Sequence, residues 1–418
     1  MRIQRHLLWL IVGIAGLVLA LLSLAGGWLT LALILASARA PTAAETLPVA
    51  GIMVFGMGLG IPLALHGWEG WRKRPSRSFS PPRVWWMWLL LVLLIGLGAA
   101  VSSLSPVPAL WLPPIHVLAM ALPPLIVLGL VGRAVRGVGV SWREVVVGMA
   151  GGSTLGLGGS LVGEVLVAFA VAVVVMAIVL MTPGGAGRIA ALAQNLRDPA
   201  WATDLDNLLQ WLLSPVVALP VLVLFTIPIP LIEEIFKTLA AGVAARWARP
   251  DPARALLWGV AGGAGFALAE NLFNGALGGA EGWAPGAMAR IGATAMHCFT
   301  SGLVGWGWGQ LWTARRPLRL LGAYAAAVFI HGVWNAAAMG AALLSVGALA
   351  HEGDELWRAS AGLGTLMFLG LLVVLTVVFL LALTAAGQRL AAGSDHLQER
   401  AGGPERASGL ESREIAVS

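Results

Sequence analysis

The residues of this chain that could do chemistry fall into four short constellations, all inside long apolar runs. The first is Pro228-Ile229-Pro230-Leu231-Ile232-Glu233-Glu234-Ile235-Phe236-Lys237. Its two prolines interrupt the incoming helix, and Pro230 suits the first position of a new one. Glu233 and Glu234 then lie near a helix start, where the dipole favours negative charge, and Lys237 follows at i+4 and i+3, within reach of both carboxylates. Lysine is an unusual choice, since the chain has only 2 lysines against 24 arginines. The second is Phe266-Ala267-Leu268-Ala269-Glu270-Asn271, with Asn274 one turn beyond Glu270. Its run opens with Gly259, Gly262, Gly263 and Gly265, small residues that let helices approach closely. The third is His297, with Ser301 a turn later. The fourth is His331-Gly332-Val333-Trp334-Asn335, whose i, i+4 spacing places imidazole and amide on one helix face.

An ionised carboxylate at the centre of a membrane span costs about 2.5–3.5 kcal/mol, so each one there needs a reason. Of 20 acidic residues, only Glu164, Glu233, Glu234 and Glu270 lie deep in apolar runs. Counted at 1.5 Å per residue from the arginine-rich ends, Glu233, Glu270, His297 and His331 fall roughly 18–25 Å in. Four antiparallel spans thus deliver polar groups to one layer. Two histidines and a carboxylate can hold zinc with a position open to water, while another carboxylate serves as general base. In that version Glu270, His297 and His331 are ligands, and Glu233 or Glu234 takes the proton from water. A metal-free version is equally sound: a glutamate activates water directly while His331 and Asn335 donate hydrogen bonds to the developing oxyanion.

Other hydrolytic schemes fit poorly. There is no His-Glu-x-x-His, and the pair His351-Glu352 lies in a loop without a second histidine. No aspartate lies deep enough for an aspartyl dyad. Gly151-Gly152-Ser153-Thr154 does not reproduce the rhomboid serine motif, and Cys298, next to His297 on one helix, diverges from it by about 100°.

The elements that must position these groups are membrane helices. With 58% hydrophobic and 11% charged residues and a mean hydropathy of +0.86, most of the chain is solvated by lipid. Runs long enough to span occur at 7–36, 48–67, 84–103, 115–132, 144–182, 213–245, 254–278, 288–314, 318–348 and 357–386. The fold class is therefore all-α, a polytopic bundle of about ten spans. The run at 144–182 is long for one helix and is broken by Gly151-Gly152-Ser153 and Gly158-Gly159-Ser160, so it reads as a tilted or kinked span or as a re-entrant piece plus a span. The first apolar run is too long for a signal-peptide core.

The net charge of +6 is dispersed among short loops, which points to membrane orientation and away from nucleic acid. Basic residues accumulate in alternate segments: Arg2 and Arg5, the 67–83 loop, the 133–143 loop, the 246–254 loop, and Arg315, Arg316 and Arg319. The intervening loops are uncharged or lean acidic (Asp198, Asp204, Asp206; Glu352, Asp354, Glu355), which places both termini in the cytoplasm. The single cysteine excludes an internal disulfide or a cysteine metal cluster. The organisation expected is amino-terminal helices over 1–182, an extracytoplasmic loop over 183–212, a catalytic core over 213–348, a last span with its preceding loop over 349–386, and a disordered cytoplasmic tail over 387–418.

Taken together, Glu233-Glu234-x-x-Lys237, Phe266-x-x-x-Glu270-Asn271, His297 and His331-x-x-Trp334-Asn335, in this order on successive spans, resemble the PrsW family of intramembrane metalloproteases, related to the type II CAAX proteases. The resemblance covers roughly 213–345. It implies peptide-bond hydrolysis in or near the plasma membrane of a bacterium, with a membrane protein such as an anti-sigma factor as substrate. Glu233 and Glu234 then become the catalytic glutamates, and Glu270, His297 and His331 the metal or water-activating set. Where CAAX proteases end Phe-x-x-x-His, this chain has Glu270, which fits the PrsW branch and weakens any transfer of prenyl-protein substrates. Two rival classes are a proton- or ion-coupled transporter and a non-catalytic scaffold. The transporter reading predicts repeat symmetry, which the sequence lacks, but it alone gives Glu164 a role.

Overall fold

A computed structural model describes residues 2–37, 39–81, 83–351 and 353–401. Glu352 and residues 402–418 lie outside the described residues, so the His351-Glu352 pair and the end of the expected tail are not considered further. The described chain is helical throughout, without a strand; an isolated bridge joins Ser78 and Ser141, zipping two basic loops together.

The helices run α1 (Arg2–Ala36), α2 (Ala43–Trp71), α3 (Val84–Leu104), α4 (Pro108–Ala134), α5 (Trp142–Gly151), a π-turn over Gly152–Gly156, and α6 (Leu157–Met181). They continue as α7 (Gly185–Asn195), α8 (Pro199–Thr203), α9 (Leu205–Leu213), α10 (Pro215–Thr226), α11 (Pro228–Ala248), α12 (Pro252–Asn274), α13 (Trp283–Ala314), α14 (Pro317–Ala350) and α15 (Glu355–Ala401). Among the described residues nine helical stretches are long and apolar enough to cross a membrane, with Trp142–Met181 and Pro215–Ala248 each counting as one. The protein is a multi-pass membrane protein. The tenth expected span, α13, is 32 residues long but is not among the nine. Its many polar and small residues are buried against neighbouring helices, so it needs less apolar surface of its own.

Three expectations are modified. The 144–182 run is one continuous helical stretch of 40 residues, in which the π-turn absorbs the first Gly-Gly-Ser. The 183–212 loop contains three short helices, α7 to α9. Helix α15 continues past 386 to Ala401, so the first part of the segment read as a disordered tail is helical. No proline interrupts it, and regular backbone bonding carries the helix beyond the hydrophobic run.

The core centres on α12, which is buried along most of its length between α11, α13, α4 and α5. Close approach explains why. A methyl group on Gly262 would meet the Lys237 carbonyl at 2.5 Å, and one on Gly263 would meet the His297 carbonyl at 2.5 Å. Only glycine lets α12 lie against α11 and α13 at the level of their polar residues.

Candidate active site

The chain breaks at Ile227 between α10 and α11 (φ −123°, ψ −70°). Pro228, rather than Pro230, takes the first position of α11; the opening turn has no intrahelical acceptors for its N–H groups, so it tolerates both prolines. The break lets α11 start inside the bundle and present Glu233, Glu234 and Lys237 inward, where all three are buried. Lys237 Nζ lies 2.6 Å from Glu233 Oε2 and 3.0 Å from Glu234 Oε1, the ion pairs expected from the i+4 and i+3 spacing.

The two histidines meet this cluster from α13 and α14. Lys237 donates to His297 Nδ1 at 2.7 Å, and His297 Nε2 lies 2.7 Å from Glu270 Oε2. His331 Nδ1 donates to Glu234 Oε1 at 2.8 Å, leaving His331 Nε2 facing Glu233 Oε2 at 3.9 Å. Their rings stand perpendicular, 5.2 Å apart, and Phe266 closes one side, 5.3 Å from the His297 ring and 4.4 Å from Lys237 Nζ. Each imidazole therefore has one nitrogen turned to its own carboxylate, Glu270 or Glu234. That fixes its tautomer and leaves the other nitrogen as a lone-pair donor.

Those second nitrogens converge on Lys237 and Glu233. Glu233, His297 and His331, all buried, each offer a ligand atom within 4.8 Å of the others. Glu270 stands outside this trio, on the far side of His297, where it holds Arg290 Nη2 at 2.8 Å. The donor chemistry fits a divalent metal of the two-histidine, one-carboxylate type. In the structure the same donors face a cation, the Lys237 ammonium. Glu233 Oε2, despite its proximity to that ammonium, lacks hydrogen-bond geometry, and Glu234 Oε2 is buried with no hydrogen-bond partner. A buried carboxylate oxygen without a partner, Glu234 Oε2, marks a place built for something more than packing.

Asn335 lies one turn from His331, but its amide donates to the Phe225 carbonyl at 2.8 Å, at the helix break. It ties α14 to that joint. Ser301 is buried with its hydroxyl unpartnered, and Cys298 is buried within the apolar core.

Two residues near the site were not assigned to it from sequence. Arg290, on α13, bonds Glu270 and, through Nε, Asn271 Oδ1 at 2.7 Å; Asn271 in turn donates to Thr294 and to the Met120 carbonyl. Its signal was available: Arg290 precedes His297 by two helical turns and shares its face. Glu164 lies close enough to Glu233, Glu270 and Lys237 to interact with their charges. Helix α6 reaches this position through a glycine face, with Gly156 against the Lys237 backbone, Gly159 against Phe236 and Gly163 against Ile232. The acid that gave a transporter its foothold thus belongs to the same cluster as the other glutamates.

Comparison with known sequences places this geometry in a family context. The family model described as PrsW family intramembrane metalloprotease matches residues 161–384, a segment that opens just before Glu164 and takes in every residue of the site. No curated protein and no solved structure matches the chain.

Proposed function

The chain belongs to the PrsW family of intramembrane metalloproteases, and we propose that it hydrolyses peptide bonds of membrane proteins at the Glu233/Glu234/His297/His331 cluster. The observation that carries this reading is the pair of carboxylate–imidazole contacts, Glu234 with His331 and Glu270 with His297, which leave the second nitrogen of each ring, one facing Lys237 and the other Glu233, as a ligand atom beside the Glu233 carboxylate. We assign the metal, taken as zinc, to Glu233, His297 and His331. Bound there, it would supply Lewis acidity to the scissile carbonyl and acidify a water.

The remaining steps belong to the chain. Glu234 accepts the proton of the attacking water on Oε2, the oxygen left without a partner, while Oε1 keeps His331 oriented. Lys237, held between Glu233 and Glu234, supplies a positive charge beside the reacting groups that would favour a developing oxyanion. Glu270 and Arg290 hold the His297 ring, Glu164 holds the Glu233 carboxyl, and Asn335 keeps α14 fixed to the helix break. The substrate we favour is a membrane protein such as an anti-sigma factor, cleaved in a bacterial plasma membrane by an enzyme with both termini cytoplasmic.

The test is co-expression with candidate membrane substrates, comparing wild type with Glu234→Ala and His331→Ala at matched protein levels. Cleavage that survives both substitutions sinks the assignment. Metal analysis of the purified protein addresses zinc separately: an active, stoichiometrically metal-free enzyme would leave direct activation of water by glutamate.

A further inference from the structure

At the arginine-rich end of the bundle, α11 and α13 stop on left-handed caps, Arg249 (φ 47°) and Arg315 (φ 54°). These two residues, with Arg246 and Trp312, line a cavity of about 410 Å³. Arg246 lies 5.4 Å from the Trp312 ring, a stacking that holds one guanidinium in place. Four other arginines pair with carboxylates: Arg39 with Glu45, Arg143 with Glu69, Arg254 with Glu144 and Arg290 with Glu270. Among the described residues Arg246, Arg249 and Arg315 make no ion pair, so three uncompensated positive charges share one cavity.

This cavity does not end at the arginines. It shares Pro317 with a second, of about 280 Å³, lined by Ile235, Trp308 and Leu320. The second shares Leu321 and Tyr324 with a third, of about 520 Å³, that reaches Thr226, Gly332 and Ala336. The series follows the crevice between α11 and α14, and beyond its first member it is almost wholly apolar. Leu231, Ile235, Leu321 and Phe329, along its length, are exposed. It ends beside His331 and Asn335. A site with a cationic head and a long apolar furrow has the chemistry of a phospholipid.

We propose that the α11–α14 crevice binds an anionic phospholipid, its phosphate held by Arg246, Arg249 and Arg315 and an acyl chain lying along the furrow toward the catalytic layer. Charge decides between this occupant and a substrate helix. A membrane segment of a substrate carries its own Lys and Arg at the cytoplasmic end, the sign the crevice repels, whereas basic pockets between membrane helices attract anionic headgroups. A free phosphate would satisfy the first cavity and leave the other two unexplained. Lipid in this crevice lies against Gly332, Val333 and Ala336 of α14, next along the chain to His331 and Asn335, so headgroup composition governs access to the site from the side.

The test reads binding without cleavage, so its failure is separable from failure of the hydrolytic assignment. The full chain is reconstituted in phosphatidylcholine nanodiscs containing a minor share of phosphatidylglycerol, and the lipid retained after extraction is identified by native mass spectrometry. Phosphatidylglycerol is expected to be retained over phosphatidylcholine by about tenfold or more. The preference is lost in the triple variant Arg246→Gln, Arg249→Gln, Arg315→Gln, and kept when Arg72, Arg74 and Arg77 of another basic loop are changed to Gln. Leu321→Trp, which fills the furrow and keeps the arginines, lowers retention independently of whether the triple variant folds. Millimolar inorganic phosphate leaves the retained lipid in place. Equal retention of the two lipids, unchanged retention in either crevice variant, or displacement by inorganic phosphate overturns the proposal.

Discussion

The chain buries histidines in two regions, and their surroundings differ in kind. His116, on α4, is fully buried between α12 and α13: its Nδ1 accepts from the Trp283 indole at 3.0 Å, and its Nε2 donates to the Leu272 carbonyl at 2.9 Å. An indole N–H only donates and a carbonyl only accepts, so both ring nitrogens are used by neutral partners and the ring is locked as a brace. Leu47, Leu112, Met120 and Trp283 pack around it in an apolar cluster. His297 and His331 are as deeply buried, yet each has one nitrogen on a carboxylate and the other facing the Lys237–Glu233 ion pair: His297 Nδ1 accepts from Lys237, and His331 Nε2 lies 3.9 Å from Glu233 Oε2. Depth in the membrane therefore does not distinguish these histidines; what separates them is whether the ring's partners are neutral, as at His116, or ionisable, as at His297 and His331.

The comparison breaks most sharply on Glu234→Ala or His331→Ala. Cleavage is expected to fall by about 10²–10⁴-fold at unchanged protein level, the usual contribution of general acid–base chemistry, whereas His116→Gln should leave cleavage per folded molecule near wild type. A substrate assay with folded protein measured by gel filtration checks both. A smaller effect is expected for Glu270→Gln or Arg290→Gln, which release the His297 ring without removing a proposed ligand. Metal affinity should weaken by about 10–100-fold, read by competition with a chromophoric chelator.

Glu164 sharpens the contrast further. Glu164→Leu removes the polar group beside Glu233 and is expected to lower kcat by about tenfold, while Glu164→Gln, which keeps a hydrogen-bonding side chain there, retains most of it. Equal loss in the two variants would remove Glu164 from any positioning role. At the brace the expected effect is on stability alone. Trp283→Phe leaves His116 Nδ1 buried and unpaired, at a cost of about 1–3 kcal/mol, visible as a lower midpoint in thermal unfolding with cleavage per folded molecule unchanged.

The same contrast shows how far the sequence reaches. The reactive layer was legible because carboxylates and histidines inside apolar runs are costly, and their distances from the span ends can be counted. The glycines of α12 announced close packing, and the structure places Gly262 and Gly263 against Lys237 and His297. His116 drew no attention, and nothing in its neighbours along the chain reveals the Trp283 and Leu272 partners 167 and 156 residues away. Arg290 and Glu164 show the opposite limit, since their roles depend on which helix lies beside which.

The amino-acid sequence by itself determined the membrane class, the helical architecture, the break before Glu233 and the depth at which Glu233, Glu270, His297 and His331 lie. These follow from hydrophobicity, proline chemistry and helical rise, which are local properties. Only the tertiary structure decided that Glu233 faces His297 and His331 while Glu270 stands behind His297, that Glu164 reaches Glu233, and that the crevice beside α14 runs from arginines to the site. Those outcomes depend on the rotation of each helix about its own axis, and that rotation is set by contacts between residues far apart in the chain.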